Sequence, residues 1–199
     1  MSAILYYVGR MAPYMLLGLP VYLAARFFCL WRRRQQRMAW VREGLLLCFV
    51  LFCIGLASQT VLPELYTDGS GLHAVTVFSE GWEKRRWGLN CVPFFTISGY
   101  FSRGNAELFL INILGNLGIF APLGFFPPLL WKRWRKWYKT MLLGMGISAL
   151  IECLQVFTLR SVDVDDVILN TLGALAGYLC FALLRFLVRM IDRKDILDV

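Results

Sequence analysis

Residues 108–130 read LFLINILGNLGIFAPLGFFPPLL, and no charged side chain interrupts them. An apolar helix needs about 20 residues to cross the hydrocarbon core of a bilayer, so the stretch from Leu108 to Leu130 is long enough to span one. It is not uniformly apolar. Asn112 and Asn116 stand four apart and therefore share one helix face, with Gly115 beside them. Working outward, four more apolar runs emerge: Met11–Leu30, Gly44–Leu62, Thr140–Phe157 and Val167–Ile191. This pattern predicts an all-α integral membrane protein of about five transmembrane helices with one longer outer loop, residues 63–107. The first run is the weakest, because it holds Arg26, Pro13 and Pro20, and a start nearer Ala3 would take in Arg10. A cleaved leader is the poorer reading of it: no positive segment precedes the run, and an Arg-rich stretch rather than a small-residue cleavage site follows.

Composition agrees. Hydrophobic residues make up 58% and charged residues 17% of the 199, against about 45–50% and 25% in soluble domains. The net charge of +8 does not point to nucleic acid, because the basic residues gather between apolar runs instead of forming a binding face. Arg32, Arg33, Arg34, Arg37 and Arg42 separate the first two runs; Lys132, Arg133, Arg135, Lys136 and Lys139 separate the third and fourth. The other two connections carry acids as well. By the positive-inside rule both basic loops are cytoplasmic, which sets the N-terminus outside and the C-terminus, with Arg189, Arg193 and Lys194, inside. Trp31, Trp40, Trp131, Trp134 and Trp137 fall near the same boundary, where indole prefers the headgroup region. Cys29, Cys48, Cys53, Cys153 and Cys180 lie in or beside apolar runs, and no CxxC pair exists, so neither a disulfide framework nor cysteine–metal chemistry is expected.

The loop of residues 63–107 alternates polar and aromatic residues over Leu72–Phe78 and Pro93–Phe101, a pattern open to a short hairpin or a re-entrant piece. His73, the single histidine, has no second ligand type around it and reads as a surface or interfacial residue.

Function should lie with polar residues that lipid penalises. A charge at the centre of a membrane helix costs about 2.5–3.5 kcal/mol on insertion scales. Three stripes qualify: Asn112 and Asn116; Ser148, Glu152 and Gln155; and Asp163, Asp166, Asn170, Gly173 and Gly177, each spaced three or four apart. At about 1.5 Å per residue all three fall in the outer half of the bilayer, with Arg160, Asp163, Asp165 and Asp166 over them. The expected site is a polar chamber opening outward from the third, fourth and fifth spans. Each group also has a plainer role. Gly173 and Gly177 form a small-xxx-small pair suited to close helix packing, and the amides can serve as interhelical hydrogen bonds. The aspartates fit a helix N-terminus, where they complement the dipole, as well as they fit a ligand. Glu152 needs a partner, and Arg160, two turns on, is the nearest cation in sequence. A calcium loop is excluded: counted from Asp163, the positions for glycine and glutamate hold Ile168 and Ala174.

In order, Asn112-Ile-Leu-Gly115-Asn116, then Phe120-Ala-Pro122-Leu-Gly124-Phe125, then Ser148 with Glu152 and Gln155, then Arg160-Ser161-Val-Asp163-Val-Asp165-Asp166-Val-Ile-Leu-Asn170-Thr-Leu-Gly173 closely resembles the VanZ-like family of small bacterial membrane proteins. On that likeness the chain is one membrane domain, residues 1–199, with its motifs concentrated in 108–191. The resemblance implies a multi-pass protein of the bacterial cell membrane and the namesake's association with low-level teicoplanin resistance. Teicoplanin carries a fatty acyl chain and acts on peptidoglycan precursors at the outer face.

Three functions follow for comparison. The first is a non-enzymatic factor that binds a lipoglycopeptide or a lipid-linked peptidoglycan precursor at the outer leaflet and alters drug access, without a cofactor. The second is an enzyme acting on a polyprenyl-linked intermediate, with Glu152 as base and Asp163, Asp165 and Asp166 holding magnesium against a diphosphate. No nucleophile is marked for it, since no Ser-His-Asp set and no cysteine near a base is present. The third, a transporter, lacks any visible repeat.

Overall fold

The computed structural model describes residues 3–32, 40–62, 64–75, 88–102, 106–157 and 161–197. Among these are six helices, α1 (Ala3–Arg32), α2 (Trp40–Thr60), α3 (Phe95–Ser102), α4 (Ala106–Leu130), α5 (Trp137–Gln155) and α6 (Val164–Leu197). Four short strands join them: β1 (Glu64–Asp68) pairs antiparallel with β2 (Gly71–Val75), and β3 (Leu89–Asn90) pairs with β4 (Val162–Asp163).

Four helical segments are long and apolar enough to cross a membrane: Met11–Arg32, Trp40–Thr60, Asn112–Leu130 and Val164–Ile191. The expected fifth, Thr140–Phe157, is helical as α5 but is not among the four. Lys139, Thr140, Ser148, Glu152 and Gln155 dilute its hydropathy. Its 19 residues still reach about 28 Å. Thr140, Gly144, Ser148, Ile151 and Glu152 are buried along one stripe of α5, whereas Leu142, Met145, Leu150 and Leu154 are exposed. That inversion, polar inward and leucine outward, recurs on α6, where Asn170 is buried and Leu172, Leu179 and Leu183 are exposed. Water would penalise so much contiguous apolar surface, and lipid does not.

Contacts divide the chain into two compact units, residues 1–89 with 151–162 and residues 90–150 with 163–199. In the first, α1 packs on α2. Gly18 lets Ile54 approach, since a Cβ there would stand 2.6 Å from its Cδ1. Arg26, the residue that weakened the first run, donates to Glu43 at the start of α2 through two hydrogen bonds, Nε to Oε2 at 2.6 Å being one. A bidentate pair of this kind offsets the cost of an arginine in an apolar helix. The β1–β2 hairpin turns at Gly69 and Ser70, and Gly71 takes φ 133°, a backbone angle that favours glycine. His73 is half-exposed on β2, and its Nε2 lies 2.9 Å from Ser70 Oγ.

In the second unit, α4 and α6 meet backbone to backbone. A Cβ at Gly124 would collide with the Ala174 carbonyl, one at Gly177 with the Ala121 carbonyl, and one at Gly173 would stand 2.5 Å from the Leu117 oxygen. The glycine stripe of α6 therefore serves close packing, the plainer of its two roles, and Gly124 answers it from α4. Gly144 of α5 faces the Ala174 methyl, so Ala174 is enclosed from two further helices. The basic turn between α4 and α5 is tied by Arg135 Nε to the Pro128 carbonyl at 3.2 Å, Thr140 Oγ1 to the Trp134 carbonyl at 2.8 Å and Tyr178 Oη to the Arg135 carbonyl at 2.9 Å. These bonds satisfy one carbonyl left over by the last turn of α4 and two in the turn that follows it.

The alternation at Pro93–Phe101 is not a strand. It folds as α3, because its first backbone N–H groups find a buried acceptor on α6.

Candidate functional site at the start of α6

Three aspartates lie within four residues where α6 begins, and the structure gives each a different task. Asp165 is 1% exposed. Its Oδ1 accepts the Phe94 N–H, and its Oδ2 accepts those of Thr96 at 2.9 Å and Ile97 at 3.1 Å. A carboxylate from α6 thus caps the N-terminus of α3, satisfying orphan donors and meeting the positive end of that helix. Asp163 caps its own helix: Oδ1 accepts the Asp165 N–H at 2.9 Å, as an N-cap aspartate does at the second helical position. The same oxygen accepts Asn90 Nδ2 at 2.9 Å, and Oδ2 accepts the Thr96 hydroxyl.

Asp166 differs. It is half-buried, and among the described residues its hydrogen bond comes from Asn116 Nδ2 of α4 at 2.7 Å, to Oδ1. Its Oδ2 accepts no hydrogen bond among the described residues. One turn along α6, Asn170 Nδ2 donates to Ser148 Oγ of α5 at 2.9 Å, while its buried Oδ1 has no partner among the described residues. An unpartnered buried acceptor costs about 1–3 kcal/mol, which an arriving donor would recover. Asp166 and Asn170 share a face of α6, so one side of the helix start offers two oxygens with spare capacity.

The expected constellation is therefore partly assembled. Asn116 meets Asp166, Ser148 meets Asn170, and Asp163 meets Asp165 through its backbone. Asn112 is half-buried on α4, one turn before Asn116. Gln155 goes elsewhere: its Nε2 donates to the Thr60 carbonyl at the end of α2, at 3.1 Å. Glu152 is 7% exposed and follows Ser148 by one turn of α5, within the first unit. Arg160 lies outside the described residues, as does its pairing with Glu152. Asp163 and Asp165, two of the three acids that the enzyme alternative assigns to magnesium, accept the hydrogen bonds that cap the starts of α6 and α3. Among the described residues no group of three His, Cys, Asp or Glu side chains is arranged to hold a metal ion.

Sequence reading missed Asn90 and Thr96. Thr96 joins Asp163 through its hydroxyl and Asp165 through its amide, and Asn90 Nδ2 also donates to Thr96 Oγ1 at 3.0 Å. A signal was present. Asn90 turns the chain by accepting the Val92 N–H at 3.1 Å, and Pro93 then precedes the helix, a common start pattern.

Apolar spanning helices, inward polar stripes and acids capping the start of the last span define a multi-pass α-helical membrane protein. A family model described as VanZ/LLP1 matches residues 45–185, and the chain belongs to this family. The match reaches further than the motifs of the last half, taking in most of α2, both hairpin strands and α3. No curated protein matches the chain, and no solved structure does.

Proposed function

We propose that this VanZ-family protein sits in the bacterial cell membrane with its N-terminus outside and C-terminus in the cytoplasm, and that the start of α6 is an outward-facing binding site. Its ligand is an amphiphilic envelope molecule, a lipoglycopeptide such as teicoplanin or a lipid-linked peptidoglycan precursor. Binding it changes how much drug reaches its target. The observation that carries this reading is Asp166: among the described residues it alone of three neighbouring acids has an oxygen that accepts no hydrogen bond, and Asn116 orients it. Asn170 Oδ1 below it is a second open acceptor. Both suit the hydroxyl, amide and ammonium donors of such ligands, whose acyl or prenyl chain would lie along the leucines exposed on α6. Asn112 and Ser148 belong to the same proposal as residues of the polar face.

An enzyme using magnesium is the less supported reading, because two of its three proposed ligands already cap helix starts. The purified protein in nanodiscs, titrated with teicoplanin and with lipid-linked precursor, tests the choice. Saturable binding without magnesium, lost in Asp166→Asn, is expected. Absence of binding for both ligands by folded protein refutes the site, and turnover of the precursor on adding magnesium replaces it with the enzyme.

A further inference from the structure

The turn that leads into α3 presents Val92 at 59%, Phe94 at 59% and Phe95 at 64% exposure. Its level in the membrane is fixed by hydrogen bonds. The N–H groups of Phe94, Thr96 and Ile97 all end on Asp165, the second residue of the span Val164–Ile191. A turn bonded to the first residues of a span lies at the bilayer boundary. We propose that Val92, Phe94 and Phe95 form an interfacial anchor, inserted among the headgroups and upper acyl chains of the leaflet where α6 begins.

Two further observations favour lipid as the occupant. α3 packs on both α4 and α6, and α4 exposes Leu110 and Leu114 near its start, so the turn continues an apolar surface already facing lipid. Phe94 also holds φ 63°, a left-handed angle that a bulky residue adopts only against strain and that glycine adopts freely. Asp165 fixes its backbone there, which aims an aromatic ring outward from the protein. Aromatic and apolar residues on an otherwise polar segment are what holds a segment in the membrane interface. This inference rests on the chain crossing the membrane and stands whether or not the site at Asp166 binds envelope ligands.

The test uses a variant with all six free cysteines replaced, reconstituted in phosphatidylcholine–phosphatidylglycerol vesicles. A nitroxide is attached at Val92→Cys or, separately, at Phe95→Cys. Both side chains are exposed, so either position reports if the other impairs folding. Collision with oxygen should exceed collision with a water-soluble nickel chelate at both positions, the reverse of a free nitroxide in buffer. Nickel accessibility equal to that of the free label would place the turn in water and overturn the anchor. Spin–spin broadening that disappears on dilution with unlabelled protein would assign the surface to a second copy, which also overturns it.

Discussion

Replacing Asp165 by Asn tests whether the start of α6 builds the outer end of the protein. The substitution keeps size and shape but leaves one acceptor oxygen where the carboxylate has two. If the amide oxygen stays toward Thr96 and Ile97, the new NH2 group faces the Phe94 N–H; if it turns, both other bonds are lost. At least one hydrogen bond to a charged acceptor disappears, worth about 1.5–3 kcal/mol, and a donor is set against a donor in a buried place. The negative charge at the positive end of α3 goes too, adding about 0.3–1 kcal/mol. A loss of about 2–4 kcal/mol follows, and at about 2–4 °C per kcal/mol for a chain of this size the midpoint should fall by ~4–16 °C. Thermal unfolding of the detergent-solubilised protein, followed by circular dichroism, measures it. Asp166→Asn gives the contrast, since Asp166 takes one bond from Asn116 and is half-buried, so its midpoint should move by no more than ~2 °C. Equal midpoints for Asp165→Asn and the parent would refute the capping role and the separation of the aspartates into scaffold and site.

At the helix crossing, Gly177→Val drives a side chain into the Ala121 carbonyl and should cost about 1–3 kcal/mol or more, read as reduced resistance to thermal unfolding in detergent. Gly115→Ala, on the same helix as Gly124 but with open space around it, should leave the midpoint unchanged. Reporter fusions after Arg37 and Lys139 should both report the cytoplasm, and an external signal from either would reverse the orientation. Glu152→Gln should insert and survive heating as well as the parent, since the buried position favours a neutral group. Under the proposed function it should nevertheless abolish any protection of cells against teicoplanin that the parent confers, and a fully active variant would make that stripe of α5 structural.

Much of this architecture is carried by local signals. Span positions follow from hydropathy, and the polar stripes follow from helical period, so Asn116, Ser148, Asp166 and Asn170 could be grouped before any contact was seen. What local signals do not carry is partner choice. Asp163 and Asp165 sit next to Asp166 in sequence, yet they bond Asn90, Phe94, Thr96 and Ile97, some 70 residues away. Spacing alone treats the three acids alike, whereas the fold gives two of them capping bonds and the third a bond from Asn116. Arg26 is a similar case: it stands out in the sequence as a liability of the first run, and only the packing of α1 on α2 brings it to Glu43. The alternation at Pro93–Phe101 left a hairpin and a re-entrant piece both open, and the short helix α3 forms there because its first N–H groups meet Asp165, again some 70 residues away.

The central claim is that Asp166 is the functional carboxylate of the acidic start of α6. Its most direct measurement is teicoplanin susceptibility of cells carrying the parent, Asp166→Asn or Asp192→Asn, at matched membrane abundance. Asp192 lies on the same helix just beyond the span that ends at Ile191, so it controls for loss of an acid from α6. The account predicts that Asp166→Asn returns susceptibility to that of cells without the protein while Asp192→Asn behaves as the parent. Equal susceptibility of the two variants would contradict it.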